Sequence, residues 1–231
     1  MEPEIEDLAK FLNKMGAKIE GAGTNLVKIT GVRNLRDVGY KVMPDRIETG
    51  TFLCMAAATH GKVRLINTIP EHITPIIHKL QECGCEIELE KNSIKIDARK
   101  NLKAVDIKTM PYPGFPTDMQ SIFASVLSIS KGTSIVVENI FENRFKYINE
   151  LKRMGAKITI EGKTAIIKGV KKLNGTVVSS SDLRGGAALV TAALSAKGVT
   201  QVENIQYILR GYEKLDEKLQ KIGAKIYIKN I

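Results

Sequence analysis

Four short strings of this sequence stand out by composition as places where chemistry could occur. Each string mixes acidic or basic residues with prolines, glycines or hydroxyl residues. The strings are residues 43–51 (MPDRIETGT), 111–120 (PYPGFPTDMQ), 179–186 (SSSDLRGG) and 208–213 (ILRGYE). Three of the strings contain an arginine, namely Arg46, Arg184 and Arg210. Because an arginine binds a phosphate or a carboxylate through two parallel hydrogen bonds, these three strings favour recognition of an anion.

Three of the strings stand just before a segment that predicts a buried helix, and each contains an aspartate: Asp45, Asp118 and Asp182. A helix N-terminus presents unpaired N–H groups and partial positive charge, so three such ends on one face would bind an anion. Asp118 and Asp182 could instead cap their helices. Asp45 with Arg46, and Asp182 with Arg184, could also be local ion pairs of little consequence.

Arg210 is the residue in these strings that is hardest to explain by structure alone. It precedes a predicted helix, where a cation opposes the helix dipole, so we expect it to serve a ligand. The three prolines in residues 111–116 predict a rigid segment with a fixed shape rather than a flexible linker.

Other chemistries have little support in the sequence. The three cysteines, Cys54, Cys83 and Cys85, have no histidine at a metal-binding spacing, and no glycine-rich phosphate loop is present. Three cysteines cannot form a disulfide framework, which favours a reducing cytoplasm. Residues 1–4 are acidic where a secretory signal is basic, and no stretch approaches the roughly 18 apolar residues of a membrane span.

The chain carries a formal net charge of +10, which is compatible with an anionic partner. Most of the lysines are scattered along amphipathic segments rather than gathered in blocks. A solvated basic surface is therefore the better interpretation, and we expect neither nucleic acid nor membrane as a partner.

Internal repeats must position these strings. The pattern Leu-x3-Gly-x2-Ile occurs at 12–19, 80–87, 151–158 and 219–226, with spacings of roughly 70 residues. Each copy predicts a helix end, a glycine and a strand, and the first three copies are followed by a second alternating strand.

A second recurring sequence pattern divides the chain into three units. An apolar helix precedes Gly61, Gly132 and Gly198, and each glycine opens a strand that ends near an asparagine. The units run from 45 to 98, from 118 to 170 and from 182 to 229. Helices that are apolar on every face are buried, so we expect three inner helices side by side, with amphipathic helices and sheets outside. Residues 1–43 contain only the second half of a unit, which suggests a chain that begins inside a longer repeat protein.

Five short strings of the sequence resemble those of a known enzyme family. They are residues 44–51 (PDRIETGT), 115–120 (FPTDMQ), 142–145 (ENRF), 182–184 (DLR) and 210–213 (RGYE). They are similar to those of the bacterial UDP-N-acetylglucosamine 1-carboxyvinyltransferases, which are enolpyruvyl transferases. The resemblance covers the whole chain in order. The shikimate-pathway enolpyruvyl transferases share the repeat fold but not these strings.

The resemblance implies an α/β fold, an inside-out α/β barrel of three repeated units with buried helices and outer sheets. Members of the family have two such domains. Residues 1–43 resemble the last half-unit of the first domain, and residues 44–231 resemble the second domain. In the family, the second domain borrows a strand from the extreme N-terminus, and this chain does not contain that strand.

The resemblance also implies a reaction without metal or cofactor. Enolpyruvyl passes from phosphoenolpyruvate to the 3′-hydroxyl of UDP-N-acetylglucosamine, phosphate leaves, and the product is the first committed precursor of peptidoglycan. By motif position, the residues similar to family site residues are Asp118 (proposed base, contacting the 3′-hydroxyl), Thr117 beside it, Ile140 (backbone contact to the UDP-sugar), Arg210 (phosphate site), Arg144 and Arg184 (near the phosphoenolpyruvate carboxylate), and Asp45, Arg46 and Asp182 (charged cleft residues).

The family's general acid, a cysteine on a mobile loop, belongs to the half of the enzyme that this chain does not resemble. We therefore expect the chain alone to be inactive and to associate with itself through an exposed sheet edge. The alternative is a non-catalytic truncated domain that binds a phosphorylated ligand or a partner.

Overall fold

The computed structural model describes residues 1–229, and it begins with the predicted half-unit. Its elements are α1 (Pro3–Lys14), β1 (Lys18–Glu20) and β2 (Lys28–Thr30). The two strands pair antiparallel, with Ile19 opposite Ile29. The helix and hairpin expected in residues 1–43 are therefore present. The expected end of the second domain, residue 231, lies outside the described residues.

The first full unit has one inner helix and a three-stranded sheet. Its elements are α2 (Arg46–Ala58), β3 (Lys62–Ile66), a 3₁₀ turn (Pro70–Ile73), α3 (Thr74–Glu82), β4 (Glu86–Glu90) and β5 (Ser93–Asp97). The strand order is β3-β5-β4 with antiparallel pairing throughout. The last strand of the unit thus lies between the two strands that precede it.

The second unit repeats this plan and adds a short leading strand. Its elements are β6 (Ile107–Lys108), α4 (Thr117–Leu127), β7 (Thr133–Val137), α5 (Tyr147–Arg153), β8 (Lys157–Glu161) and β9 (Thr164–Lys168). The strand order is β6-β7-β9-β8, in which β6 runs parallel to β7 and the other pairs are antiparallel.

The third unit is abbreviated. Its elements are β10 (Val177–Ser179), α6 (Leu183–Ser195), β11 (Gln201–Glu203), α7 (Gln206–Leu209) and α8 (Leu215–Lys221). Among its described residues only β10 and β11 pair, and they are parallel. The strand predicted after Gly223 is wrong, because residues 224–229 form no strand. In the first two units the corresponding strand pairs with the strand that follows it, and no such strand follows within the described residues.

The glycine of the repeated pattern ends the outer helix of each unit. Gly84 and Gly155 have φ angles of +101° and +96°, a left-handed conformation that glycine adopts without a steric penalty. The repeat read from the sequence therefore marks a real turn, in which the chain leaves the helix and enters the sheet.

The inner helices α2, α4 and α6 pack against one another and form the core. Their small residues permit close approach: the Ser125 hydroxyl donates to the Ala188 carbonyl oxygen at 2.7 Å, and a Cβ atom on Gly50 would lie 3.0 Å from the Met119 side chain. Gly50 and Met119 both lie near the N-terminal ends of their helices, and Arg184 in the first turn of α6 contacts Asp118 in the first turn of α4. The N-terminal ends of the three inner helices therefore lie at one end of the core. No helix within residues 1–229 is both long enough and apolar enough to cross a membrane.

Candidate active site

The Asp118 carboxylate lies between two arginines at the start of α4. One carboxylate oxygen accepts a hydrogen bond from Nη2 of Arg144 at 2.7 Å. The other accepts from Nε and Nη2 of Arg184 at 3.1 and 2.9 Å. Asp118 occupies the second helical position and does not cap α4, whose N-cap, Pro116, supplies no side-chain bond. Capping therefore does not explain Asp118.

The electrostatics of Asp118 follow from opposing effects. Burial of the carboxyl raises its pKa, but the positive charges and hydrogen bonds of Arg184 and Arg144 outweigh burial. The pKa of Asp118 consequently lies below its ordinary value, and the group is an ionised carboxylate at neutral pH.

Tyr212 fixes the position of Arg184 from behind. The Nη1 atom of Arg184 donates to the buried Tyr212 hydroxyl at 3.3 Å. That hydroxyl lies 2.9 Å from the Thr51 hydroxyl, which donates to the Ile47 carbonyl oxygen. Because a guanidinium only donates and a carbonyl only accepts, the hydroxyl hydrogens point from Tyr212 towards Ile47. Burial raises the pKa of Tyr212 despite its charged neighbour, so the hydroxyl keeps its proton.

The glycine beside Tyr212, Gly211, packs closely against α6. A Cβ atom on Gly211 would lie 2.8 Å from the Leu183 side chain, at the start of α6. A side chain at Gly211 would therefore require the Leu183 side chain to move, because this loop packs closely on the start of α6. Sequence reasoning quoted the string of residues 208–213 but missed Tyr212, because its contact with Arg184 joins two segments that are distant in the chain.

Arg144 belongs to the loop after β7, and its guanidinium lies 4.7 Å from the centre of the Phe141 ring. The Ile140 and Phe141 N–H groups donate to one oxygen of the Glu138 carboxylate, and the Thr117 hydroxyl donates to the other. The Ile140 N–H is thus already engaged within the protein. Sequence reasoning missed Glu138, although an acid at the end of an apolar strand was a visible signal.

Asp45 and Asp182 are helix caps. The Asp45 side chain accepts from the N–H groups of Ile47 and Glu48 at 2.7 and 3.1 Å. Asp182 accepts in the same way from Arg184 and Gly185 at 3.0 and 2.8 Å. Two of the three inner helices therefore have capped N-termini, and the expected face of three open helix ends is wrong for α2 and α6.

The expected local ion pairs do not form. Arg46 turns away from Asp45 and pairs with Glu4 of α1 at 2.7 Å, and its guanidinium lies 5.5 Å from the centre of the Tyr112 ring. Arg184 pairs with Asp118, 66 residues away in sequence, rather than with Asp182. Arg46 is 9% exposed, so it mainly joins the half-unit to the first unit.

Arg210 is exposed and follows the short helix α7 as its C-cap. The next helix begins only at Leu215, so the expectation that Arg210 opposes a helix dipole is wrong; a cation at the end of α7 is favourable. Among the described residues, its guanidinium makes no hydrogen bond or ion pair. The structure therefore does not bring Arg210 into contact with Asp118, Arg144 or Arg184.

The cysteines are buried and free. Burial raises the pKa of the Cys83 thiol to about 12 and of the Cys85 thiol to about 11, and burial also raises the pKa of Cys54. These thiols are protonated and inaccessible at neutral pH. Within residues 1–229, no group of three or more His, Cys, Asp or Glu side chains is arranged to hold a metal ion.

Comparisons with known proteins show which family this chain belongs to. The family described as EPSP synthase (3-phosphoshikimate 1-carboxyvinyltransferase) matches residues 1–219. UDP-N-acetylglucosamine 1-carboxyvinyltransferase 1 of Caldanaerobacter subterraneus subsp. tengcongensis is 54% identical over 99% of this chain and 55% of that protein. UDP-N-acetylglucosamine 1-carboxyvinyltransferase of Desulfofundulus thermocisternus is 54% identical over 96% of this chain and 91% of that protein.

Among solved structures, the enolpyruvyl transferase NikO from Streptomyces tendae matches with a TM-score of 0.86 and 27% sequence identity, over 98% of this chain and 54% of that one. This likeness confirms the expected fold of repeated α/β units. The chain spans about half the length of NikO and of the Caldanaerobacter relative. The match over residues 1–219, together with two relatives at 54% identity, shows that this chain belongs to the EPSP synthase family of enolpyruvyl transferases, in which these relatives are UDP-N-acetylglucosamine 1-carboxyvinyltransferases.

Proposed function

We propose that this chain is the C-terminal part of an enzyme that transfers enolpyruvyl from phosphoenolpyruvate to the 3′-hydroxyl of UDP-N-acetylglucosamine, in the first committed step of peptidoglycan synthesis. The observation that carries the proposal is the Asp118 carboxylate held between Arg144 and Arg184. Three separate motifs of the resemblance meet in this one contact. The names of the relatives support the same substrates.

In this proposal Asp118 accepts the proton of the 3′-hydroxyl. Its low pKa makes it a weak base while both arginines hold it. When the phosphoenolpyruvate carboxylate takes hydrogen bonds from Arg144 and Arg184, Asp118 loses part of its stabilisation and its basicity rises. The arginines then have two functions in sequence: they hold the base in the free protein and bind the substrate anion during reaction.

Other site residues have supporting functions in the proposal. Thr117 and the Ile140 carbonyl oxygen contact the UDP-sugar, and the exposed Arg210 reaches the phosphate. The cleft residues Asp45, Arg46 and Asp182 hold helix ends in position through the caps and the Glu4 ion pair described above.

The domain assignment and the cellular setting belong to the same proposal. We assign residues 1–43 to the end of a first domain and residues 44–231 to a second domain. From the resemblance, we expect the general acid to lie outside residues 1–231. The reaction needs no metal or cofactor, its product enters cell-wall synthesis, and its substrates are cytoplasmic.

Isothermal titration of UDP-N-acetylglucosamine into the 231-residue chain tests the proposal. We expect measurable binding that weakens about tenfold in Asp118→Ala, because one hydrogen bond to a charged acceptor is lost. Asp216→Ala, in the first turn of α8, is the matched control and should bind like the parent.

Binding of inorganic phosphate without any preference for UDP-N-acetylglucosamine would favour the alternative, a non-catalytic domain for phosphorylated ligands. Absence of binding to either ligand would contradict both interpretations for the isolated chain.

A further inference from the structure

Glu138 lies directly behind the Asp118 site and is 1% exposed. One of its carboxylate oxygens accepts hydrogen bonds from the Thr109 hydroxyl at 2.8 Å and from the Ile140 and Phe141 N–H groups at 2.8 and 3.1 Å. The other oxygen accepts from the Thr117 hydroxyl at 2.9 Å. No basic side chain within the described part of the chain forms an ion pair with Glu138.

A buried carboxylate without a cation is costly to desolvate, and here only the four hydrogen-bond donors compensate it. A neutral side chain could fill the same space at a smaller cost. The donors come from three different segments, which are the residue after β6, the first residue of α4 and the loop after β7.

Two of these segments contain the two partners of the Asp118–Arg144 contact: α4 contains Asp118, and the loop after β7 contains Arg144. Thr117 immediately precedes Asp118 in α4. Phe141 supplies both an N–H bound by Glu138 and the ring on which the Arg144 guanidinium lies. A single carboxylate therefore sets the distance between the acid and its arginine, and it also holds the Ile140 peptide through its N–H group.

We propose that Glu138 is a positioning residue of the active site. It holds the first turn of α4 and the 139–144 loop in a fixed relative position, so that Arg144 and the Ile140 peptide face Asp118. The proposal deepens the proposed function, since it assigns the residue that assembles the UDP-sugar side of the site. Glu138 itself touches no substrate.

The test measures the site in the free protein first, where no ligand is needed. In Glu138→Ala, we expect amide hydrogen exchange at Ile140 and Phe141 to accelerate about tenfold or more, the effect of losing one hydrogen bond to a charged acceptor. Exchange in α2 should be unchanged. Glu138→Gln keeps one acceptor oxygen and should restore most of the protection.

A second readout is the titration of the Asp118 carboxyl, followed by nuclear magnetic resonance. Removing the negative charge of Glu138 should by itself lower the pKa of Asp118. Loss of the Arg144 contact should raise it. We expect a rise in Glu138→Ala, which only the loss of positioning explains, and UDP-N-acetylglucosamine should bind about tenfold more weakly.

Glu150→Ala is the matched control. Glu150 is less buried than Glu138 and pairs with Arg153, but it also joins two elements, since it accepts from the Ser179 N–H at 3.1 Å. It lies outside the Asp118 cluster. It should lower stability without changing Asp118 titration. If Glu138→Ala is unstable, Thr117→Val removes one hydrogen bond of the network and should shift both readouts in the same direction.

A lower unfolding midpoint with unchanged Asp118 titration and unchanged exchange at Ile140 and Phe141 would overturn the proposal, because Glu138 would then only stabilise the fold. Shifted titration and exchange in a chain whose parent does not bind UDP-N-acetylglucosamine would support positioning and would contradict the proposed function alone.

Discussion

Three aspartates stand at equivalent places in the repeats, yet one of them has a different function. Asp45 and Asp182 are N-caps whose side chains bind the amides of their own helices. Asp118 lies two residues further into the helix, so its side chain projects outward and reaches arginines of other segments. This difference was visible in the sequence, where Asp118 is two residues closer to the glycine after its helix than the other two aspartates are.

Replacing Asp118 by asparagine tests its chemical function. In the complete enzyme, we expect Asp118→Asn to lower kcat by about 10²–10⁴, because the amide cannot accept a proton. The fold should be retained, since Asp118 caps no helix. Turnover by phosphate release is the measurement, and Asp216→Asn is the control. Activity within a few-fold of the parent would remove Asp118 as the base.

The pKa of Asp118 also makes a prediction about stability. Its folded-state pKa lies below the unfolded value, so its contribution is present above the unfolded pKa of roughly 4 and is lost as pH falls through the folded pKa. The parent should be more stable than Asp118→Asn to urea at pH 6, and the difference should shrink at about pH 3. A constant difference across this range would show that the ion pairs do not stabilise the fold.

The residues missed by sequence reasoning share a property. Glu138 and Tyr212 act through contacts with segments 21 and 161 residues away along the chain. Composition and spacing identify candidate arginines and aspartates, but they do not tell which of them meet. Arg46 shows the reverse, since it stands beside Asp45 in sequence and pairs with Glu4 instead.

At the scale of the elements, the two capped helices make a paired prediction. Asp45→Ala and Asp182→Ala should each lower the free energy of unfolding by about 1 kcal/mol, because two first-turn amides lose their acceptor. The corresponding asparagine variants should be close to neutral, since asparagine caps about as well. Urea denaturation measures both, and an equal loss in the asparagine variants would show that charge rather than capping is responsible.

Helices and hairpins with a regular pattern were predictable from sequence because their periodicity and terminal glycines are local. The outer hairpins β4–β5 and β8–β9 appear where alternation and tight turns indicated them. The strand expected after Gly223 failed for a non-local reason: a strand needs a hydrogen-bonded neighbour, and an alternating pattern does not provide one.

At the scale of the molecule, we expect this chain alone to show no turnover. The proposed base and its arginines are present, whereas the resemblance places the general acid elsewhere, and losing one group of a cooperating set commonly costs several orders of magnitude. A phosphate-release assay measures this, with a relative of full length as the positive control. Turnover close to that of the control would show that residues 1–231 contain the whole catalytic apparatus.

The third unit makes a prediction about association. Within the described residues its sheet consists of β10 and β11, and Val199, just before β11, is 88% exposed. Unpaired strand edges recruit other chains, so we expect concentration-dependent association through this unit. Analytical ultracentrifugation tests it, and a clean monomer at high concentration would contradict it.

The organisation into three units was predictable because each unit repeats the same sequence patterns, an apolar helix followed by a glycine and a strand, in the same order. The meeting of their helix ends at one site was expected as well. The detail that two of the ends are capped by their own aspartates depends on side-chain geometry, which the repeat does not determine.

The contacts between units form a closed ring rather than an open stack. Asp118 of the second unit binds Arg184 of the third, Tyr212 of the third binds Thr51 of the first, and Gly50 of the first packs on Met119 of the second. In an open array, each repeat depends only on its neighbours, so terminal repeats can fray. A ring has no terminal repeat, and loss of any unit breaks two interfaces at once. The three units should therefore melt in a single cooperative transition, as one indivisible folding domain built from repeated parts.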